Sequence, residues 1–573
     1  MAIRLANILP MCSKARFLTF WMMAAATLYL PAQDFGWVRS FGGRSDDTVY
    51  LIAADAEGNI YTAGDLSGTV DFDPGPGVFQ LTSAGETDVF VQKMDAGGNF
   101  LWAKSFGGSL TDAVFSLHID AAGNVYTTGE FQGTVDFDPD SGVTGLTASS
   151  TRDVFVHKMD ASGNLIWVRA FGGYWHDTGH GIATDAAGNV YTTGKFSDVV
   201  DADPGPGVAN LNPVGFSNIF VQKMDAYGHF RWAKSFGNIH SSSSNGIATD
   251  ASGNVYCTGS FRHTMDFDPG PGVANLTSKG DTDVFIQKMD SAGNFIWAKS
   301  WGGSGFDEVR GFHADEQGNI FSAGFFQGTA DFDPGPEEYL VTSGSYIGPF
   351  IHKMDASGTF RWASTFGTSE LDEVYGICTD RNGNVYTTGR FTGTVDFDPG
   401  LRKTALTSAG GPDAFVQKMD PRGNFLWARS FGVASTEYGY GICADDSGNL
   451  YSTGKFNGPV DFDTGPGVAR VSSNGSFDVF VLKLSQGPGG NVSPVPDSLI
   501  SVYPNPCRGV VQLSLPDPEE VVITLTDGLG KIIYTLPLNA APGTNLEIPG
   551  PAGLYFLGIR TARGHSVLKL VKE

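Results

Sequence analysis

NVYTTGKF (189–196), preceded by GIATD (181–185), reads as two short strands rich in β-branched and aromatic residues, joined by a tight turn that ends in Gly188-Asn189. The same turn ends in Gly58-Asn59 in an earlier copy. Two further segments, DVFIQKMD (283–290) and NFIWAKSWGG (294–303), read as a third and a fourth strand, usually joined the same way, as at Gly98-Asn99 and Gly293-Asn294. Glycine there supplies the positive φ that short hairpins need. Working outward, Trp37, Trp102, Trp167, Trp232, Trp297, Trp362 and Trp427 stand 65 positions apart, and an acidic motif starting at Asp71 keeps the same step. Seven copies of a four-stranded antiparallel unit predict an all-β, seven-bladed propeller, a radial repetition that protects most sheet edges once the first and last blades are locked together.

The lock is legible as well. A lone outer-strand segment, Phe35 to Gly43, precedes the first complete unit, and the last unit stops at FVLKL (480–484) without its outer strand. The N-terminal segment is therefore expected to complete the seventh blade, closing a ring over residues 34–485. The links between second and third strands run to about twenty residues, and TVDFD and ANLTS within them hint at an extra hairpin.

The blocks GNVYTTG, GTVDFDPG and FVxKMDxxGN resemble SBBP-type β-propeller repeats over about four-fifths of the chain. The resemblance implies the fold and says little about function, because propellers of one architecture serve as hydrolases, lyases, lectins and scaffolds.

Outside the repeats, basic Lys14 and Arg16 followed by an apolar stretch from Phe17 to Leu30 read as a secretory signal peptide, residues 1–33. No later apolar run approaches the roughly 20 residues a membrane span needs, so no transmembrane segment is expected in the mature chain. A Gly/Pro/Ser-rich linker, 486–498, leads to short alternating strands over 499–573, the pattern of a small C-terminal Ig-like β-sandwich. This tail resembles the type A C-terminal sorting domain of the type IX secretion system. Tyr503-Pro504-Asn505-Pro506 matches its opening motif, Asp527 with Gly530-Lys531 its central turn, Ala552-Gly553-Leu554-Tyr555-Phe556 its late strand, and Lys569 to Lys572 its terminal strand. The resemblance implies passage through the periplasm, recognition by the type IX machinery, and a secreted or outer-surface destination.

The net charge of −24 argues against nucleic acid as a partner. Cys257, Cys378, Cys443 and Cys507 have neither CxxC spacing nor the density of a disulfide scaffold. Chemistry is expected on the face carrying the long links. There stand Asp71/Asp73, Asp136/Asp138, Asp201/Asp203, Asp266/Asp268, Asp331/Asp333, Asp396/Asp398 and Asp461/Asp463, with Asp88, Asp153, Asp283, Asp413, Asp478 and Asp47, Asp112, Asp177, Asp307, Asp372 nearby, which predicts a strongly acidic face. The DxDxG loops are candidate Ca2+ sites, since carboxylates two apart around a sharp turn can converge oxygens. The structural reading makes them caps of Pro-Gly turns. It is preferred because an EF-hand loop needs more ligands and a closing Glu.

The Trp ladder is expected to pack between blades, and Lys93 with its six equivalents to form internal ion pairs. His118 and His313 share one inner-strand position and are expected to line the central channel. His176 and His180, in YWHDTGH (174–180), break the repeat, and such departures are where specificity can hide. No GxSxG elbow, HExxH or phosphate-cradling loop is present, and no cofactor beyond candidate Ca2+ is implied. The expected function is a non-enzymatic surface module of adhesion type, binding a glycan or a protein. The alternative is an extracellular polysaccharide hydrolase or lyase acting through carboxylates of the loop-rich face.

Overall fold

The computed structural model describes residues 34–485 and 501–573, apart from the short stretches 44–46, 345–346, 368–371, 399, 401–402, 466, 504–506, 515–518, 528–531, 541–543 and 562–563. The expected signal peptide and linker lie outside the described residues.

The third blade shows the plan. Strands Thr178–Thr184, Val190–Phe196, Asn218–Met224 and Phe230–Phe236 pair antiparallel in that order. The same four-stranded order recurs in all seven blades. Second and third strands are buried along almost their whole length, because each blade is covered by a neighbour on both faces. First strands contact the first strands of both adjacent blades, and the cycle closes where Thr48–Ala54 meets Tyr438–Ala444. As expected, Asp34–Phe41 is the outer strand of the seventh blade, paired with Asp478–Ser485 from Asp34↔Ser485 to Phe41↔Val479.

Blades are tied to one another by a repeated clamp. Trp37 Nε1 and Lys483 Nζ of the seventh blade both donate to the Ala96 carbonyl in a turn of the first, at 3.2 and 2.9 Å. Trp/Lys pairs hold Ala161, Ala226, Ser291 and Pro421 in the same way. The Gly98 turn packs so closely on the Trp37 ring that a Cβ there would lie 3.0 Å from it, and φ is +75° at Gly98 and +76° to +82° at the equivalent Gly163, Gly228, Gly293, Gly358 and Gly423. Each of the seven lysines also sits over an aromatic ring of its own blade, as Lys93 does over Tyr61 at 4.7 Å. Lys93, Lys223 and Lys288 lie 3.3–3.8 Å from Asp55, Asp185 and Asp250. The Trp ladder thus ties blade to blade, as expected, while the expected internal ion pair is seen at Lys93, Lys223 and Lys288 and stacking on an aromatic ring is common to all seven lysines.

The long links do fold into hairpins, as at Thr134–Asp136 with Gly145–Thr147. That hairpin also pairs with the preceding blade, Val135↔Gly108 and Asp136↔Gly107. A buried side chain fastens six of them to their own blades, as Gln92 and Gln222 donate to the Phe72 and Ala202 carbonyls at 2.6 Å and His157 Nε2 bonds the Phe137 carbonyl at 3.0 Å; the seventh blade has Leu482 at that position.

The tail forms a three-stranded sheet (Ser501–Tyr503, Val510–Ser514, Thr544–Glu547) and a four-stranded sheet (Ile532–Ala540, Glu519–Asp527, Gly553–Thr561, Gly564–Lys572). Val511, Leu546, Ile523, Leu557 and Leu570 from both sheets share one core, a small β-sandwich. Among the described residues no helix is long and apolar enough to cross a membrane.

Removing Asp34–Phe41 would leave the third strand of the seventh blade, Asp478–Ser485, as an open edge. A chain lacking that strand is expected to melt at a lower temperature and to self-associate, which calorimetry and light scattering would detect.

Candidate functional site

Every first strand carries a β-bulge at one position. The register skips between Val49 and Leu51, Val114 and Ser116, Gly179 and Gly181, Ser244 and Gly246, Val309 and Gly311, Val374 and Gly376, and Gly439 and Gly441. The residues set free of the ladder are Tyr50, Phe115, His180, Asn245, Arg310, Tyr375 and Tyr440. A bulge re-aims its side chain, and these seven line one cavity of about 470 Å³ at the mouth of the central channel. The mouth lies on the face of the long links, because each bulge follows directly on the connection from the preceding outer strand.

The ring has two unlike arcs. Tyr375, Tyr440 and Tyr50 come from consecutive blades, with 5.3 Å between the ring centroids of each neighbouring pair. Their approach depends on glycine: a Cβ on Gly376 would lie 2.8 Å from the Tyr440 carbonyl oxygen. Phe115 continues the arc to an edge-on contact with His180 at 5.8 Å. The opposite arc is polar, with His180, Asn245 and Arg310, backed by Ser243, Lys195 and Glu308. Arg310 lies 3.0 Å from Glu308. Burial, helped by the nearby Lys195 charge, pushes the His180 imidazole down to about 4. It is neutral near pH 7, and its Nδ1–H donates to the Ser244 carbonyl at 2.7 Å.

Behind the ring, second-strand residues also differ from blade to blade. Arg390 lies 2.8 Å from Glu373 and bonds the Tyr438 hydroxyl. Lys455 sits over the Tyr438, Tyr440 and Phe477 rings. Glu130 accepts from Arg152 and from Thr178 Oγ1. Burial raises the Asp65 carboxyl to about 7.

Of the residues singled out from sequence, His180 belongs to this site and His176 does not line it. His118 and His313 are not brought together; each bonds a threonine of the next blade, Thr184 or Thr379, at 2.9 Å. The DxD carboxylates are acceptors inside their own turns. Asp71, Asp136, Asp201, Asp266, Asp331, Asp396 and Asp461 each take the backbone N–H two residues on at 3.1–3.2 Å and that eight residues on at 2.8–2.9 Å. Asp73, Asp138, Asp203, Asp268, Asp333, Asp398 and Asp463 take the N–H two residues on at 2.7–3.0 Å. Among the described residues no group of three or more His, Cys, Asp or Glu side chains is arranged to hold a metal ion.

The remaining aspartates of the expected acidic face are buried at blade corners and are not displayed on its surface. Asp112 accepts from Gly108 N at 2.7 Å and Gln132 N at 3.0 Å, and Asp177 and Asp307 repeat the pattern. Burial raises Asp112, Asp283, Asp307 and Asp413 to about 6, and Asp177 and Glu437 to about 7.

In the tail, Tyr555 is buried and donates to the Pro551 carbonyl at 2.7 Å, and Lys572 Nζ donates to the Ile548 and Gly550 carbonyls at 2.7 Å. Gly553 pairs with Lys572, Phe556 with Lys569, and Asp527 with Tyr555. Tyr503 opens the smaller sheet opposite Gln512. Pro504, Asn505, Pro506, Gly530 and Lys531 lie outside the described residues.

Two outcomes follow from the carboxylates. Between about pH 4 and 7 the native chain holds protons on the raised corner groups that the unfolded chain has released, so stability falls as pH rises through that window. The melting temperature is expected to be higher at pH 5 than at pH 8, with Asp177→Asn flattening the difference. Asp396→Ala, which strips two N–H groups of their acceptor, is expected to cost about 1–3 kcal/mol in denaturant unfolding, equally in calcium and in chelator.

Two families match the chain: the secretion system C-terminal sorting domain over residues 501–573, and the SBBP β-propeller repeat over residues 166–195. The chain is 22% identical over 535 residues to an uncharacterized WD repeat-containing protein of Acanthamoeba polyphaga mimivirus, covering 78% of this chain and 38% of that protein. It is 27% identical over 197 residues to the regulatory protein FlaEY of Caulobacter vibrioides, covering 34% of this chain and 20% of that one. It thus spans well under half the length of either relative. Among solved structures a gluconolactonase from Xanthomonas campestris aligns over 64% of this chain and 94% of its own, with a TM-score of 0.26 and 13% identity, a likeness too slight to bear on function. The tail marks the chain for the type IX machinery and for a secreted or cell-surface location. With seven blades in place, the chain is a β-propeller of SBBP-type repeats that ends in a type IX secretion C-terminal sorting domain.

Proposed function

We propose that this exported propeller is a binding module of adhesion type that takes a sugar unit of a surface or extracellular glycan into the mouth of its central channel. The observation that carries the reading is the bulge ring. Blades that share one plan differ at that bulged position, offering Tyr, Phe, His, Asn, Arg, Tyr and Tyr in turn. An arc of aromatic faces opposite an arc of hydrogen-bonding groups suits a sugar ring, which has apolar C–H faces and a polar rim. The cavity volume falls within the range of ordinary ligand pockets, about 300–1,000 Å³. Export to the cell surface puts such a pocket among glycans.

A hydrolase or lyase reading draws on Glu308, a cavity carboxylate whose pKa burial raises. The two readings part in a polysaccharide panel scored for both retention and release of shorter sugars. Retention without products is expected, and Tyr440→Ala is expected to weaken it at least tenfold, about 1.4 kcal/mol. Release of shorter products, abolished by Glu308→Gln, would instead assign catalysis.

A further inference from the structure

The charge lining the channel mouth has the opposite sign to the charge of the chain. The whole sequence carries −24, yet the cavity lining holds two cations, Lys195 and Arg310, against the single carboxylate Glu308, with His180 neutral. Arg310 already lies against Glu308. The Lys195 ammonium makes no hydrogen bond or ion pair with any described residue. Its circumstances are particular to one blade: the equivalent positions hold Asp65, Glu130, Ser260, Phe325, Arg390 and Lys455. The two other cations in that column are engaged, Arg390 by Glu373 and Lys455 by aromatic rings. Glu130, which bonds Thr178, the cross-strand partner of Lys195, is taken by Arg152 and by Thr178 itself.

A half-buried ammonium with no anion beside it, in a chain with a large surplus of anions, is a group whose counter-charge comes from outside. The net charge does not bar such a ligand, since charges more than about 8 Å away are screened at physiological ionic strength. We infer that the sugar bound at the channel mouth is acidic, with its carboxylate or sulfate held by Lys195 on the polar arc while its ring lies against Tyr50 and Tyr440. This rests on the glycan-binding reading above and narrows it to a ligand class.

The test uses the purified chain and oligomers of galacturonate, glucuronate and mannuronate, each beside its carboxyl-reduced neutral counterpart, with a sulfated oligosaccharide and its desulfated form as a further pair. Calorimetry is expected to show at least one acidic member binding tenfold or more above its neutral partner, a preference that shrinks as salt rises from 50 to 500 mM. Whichever pair shows it identifies the anion. Lys195→Gln is expected to bring the two members to within about threefold by weakening the acidic one alone. Tyr440→Ala is expected to weaken both equally. Neutral members binding as well as acidic ones, or a preference that survives Lys195→Gln, would overturn the acidic-sugar inference and leave the glycan reading standing. No binding of any member would overturn both.

Discussion

A propeller has no covalent reason to be round. Each blade covers its neighbour, and the arrangement leaves two raw faces unless the ends meet. Here they meet by exchange, with Asp34–Phe41 paired along its length to Asp478–Ser485. Residues more than four hundred positions apart thus become neighbours, and the Trp37 and Lys483 clamp on Ala96 carries the join into the first blade. Everything that converges on the axis depends on that closure. The tyrosine arc spans it, since Tyr375 and Tyr440 stand before the join and Tyr50 after it.

The frame is also a device for using acid groups. Two sets of aspartates, one in the hairpin turns and one at the blade corners, are spent on backbone N–H groups that would otherwise be stranded where the chain changes direction. A third set, in the tight turns, takes N–H bonds two and four residues on together with the amide of a following asparagine, as at Asp120. The Asp120 carboxylate stays ionised readily because the donors around it outweigh its burial, whereas Asp177 at a corner holds its proton longer because burial dominates. A composition that looks like an open polyanion is in large part internal scaffolding, which is how a cationic pocket can exist within it.

Much of this was legible in the sequence. The Trp step gives blade number, the unmatched ends give closure, and TVDFD with ANLTS gives the hairpins, because each follows from spacing and strand alternation. The mouth of the channel was not. Alternation assigns sides by counting in twos, and the bulge at Tyr50 and its equivalents breaks the count within a strand, so no parity argument could turn those residues toward the axis. His180 drew notice as a departure from the repeat, yet its true peers were Tyr50, Phe115 and Arg310 in the same column rather than His176 beside it. Reading down that column, where residue type varies while the flanking positions stay small or apolar, is the signal that would have found the site. The corner aspartates were misjudged for another reason: a charged residue in a link looks exposed until the N–H groups it serves are seen.

The bulge has one more consequence. A side chain that belongs to no ladder pair can be exchanged without disturbing register, cross-strand contacts or the glycines packed behind it. Seven such positions, one per gene-encoded repeat, amount to a combinatorial surface whose wording is uncoupled from its grammar. Copies produced by duplication could diverge there at little cost to folding, so one robust scaffold could acquire many preferences through a handful of point changes.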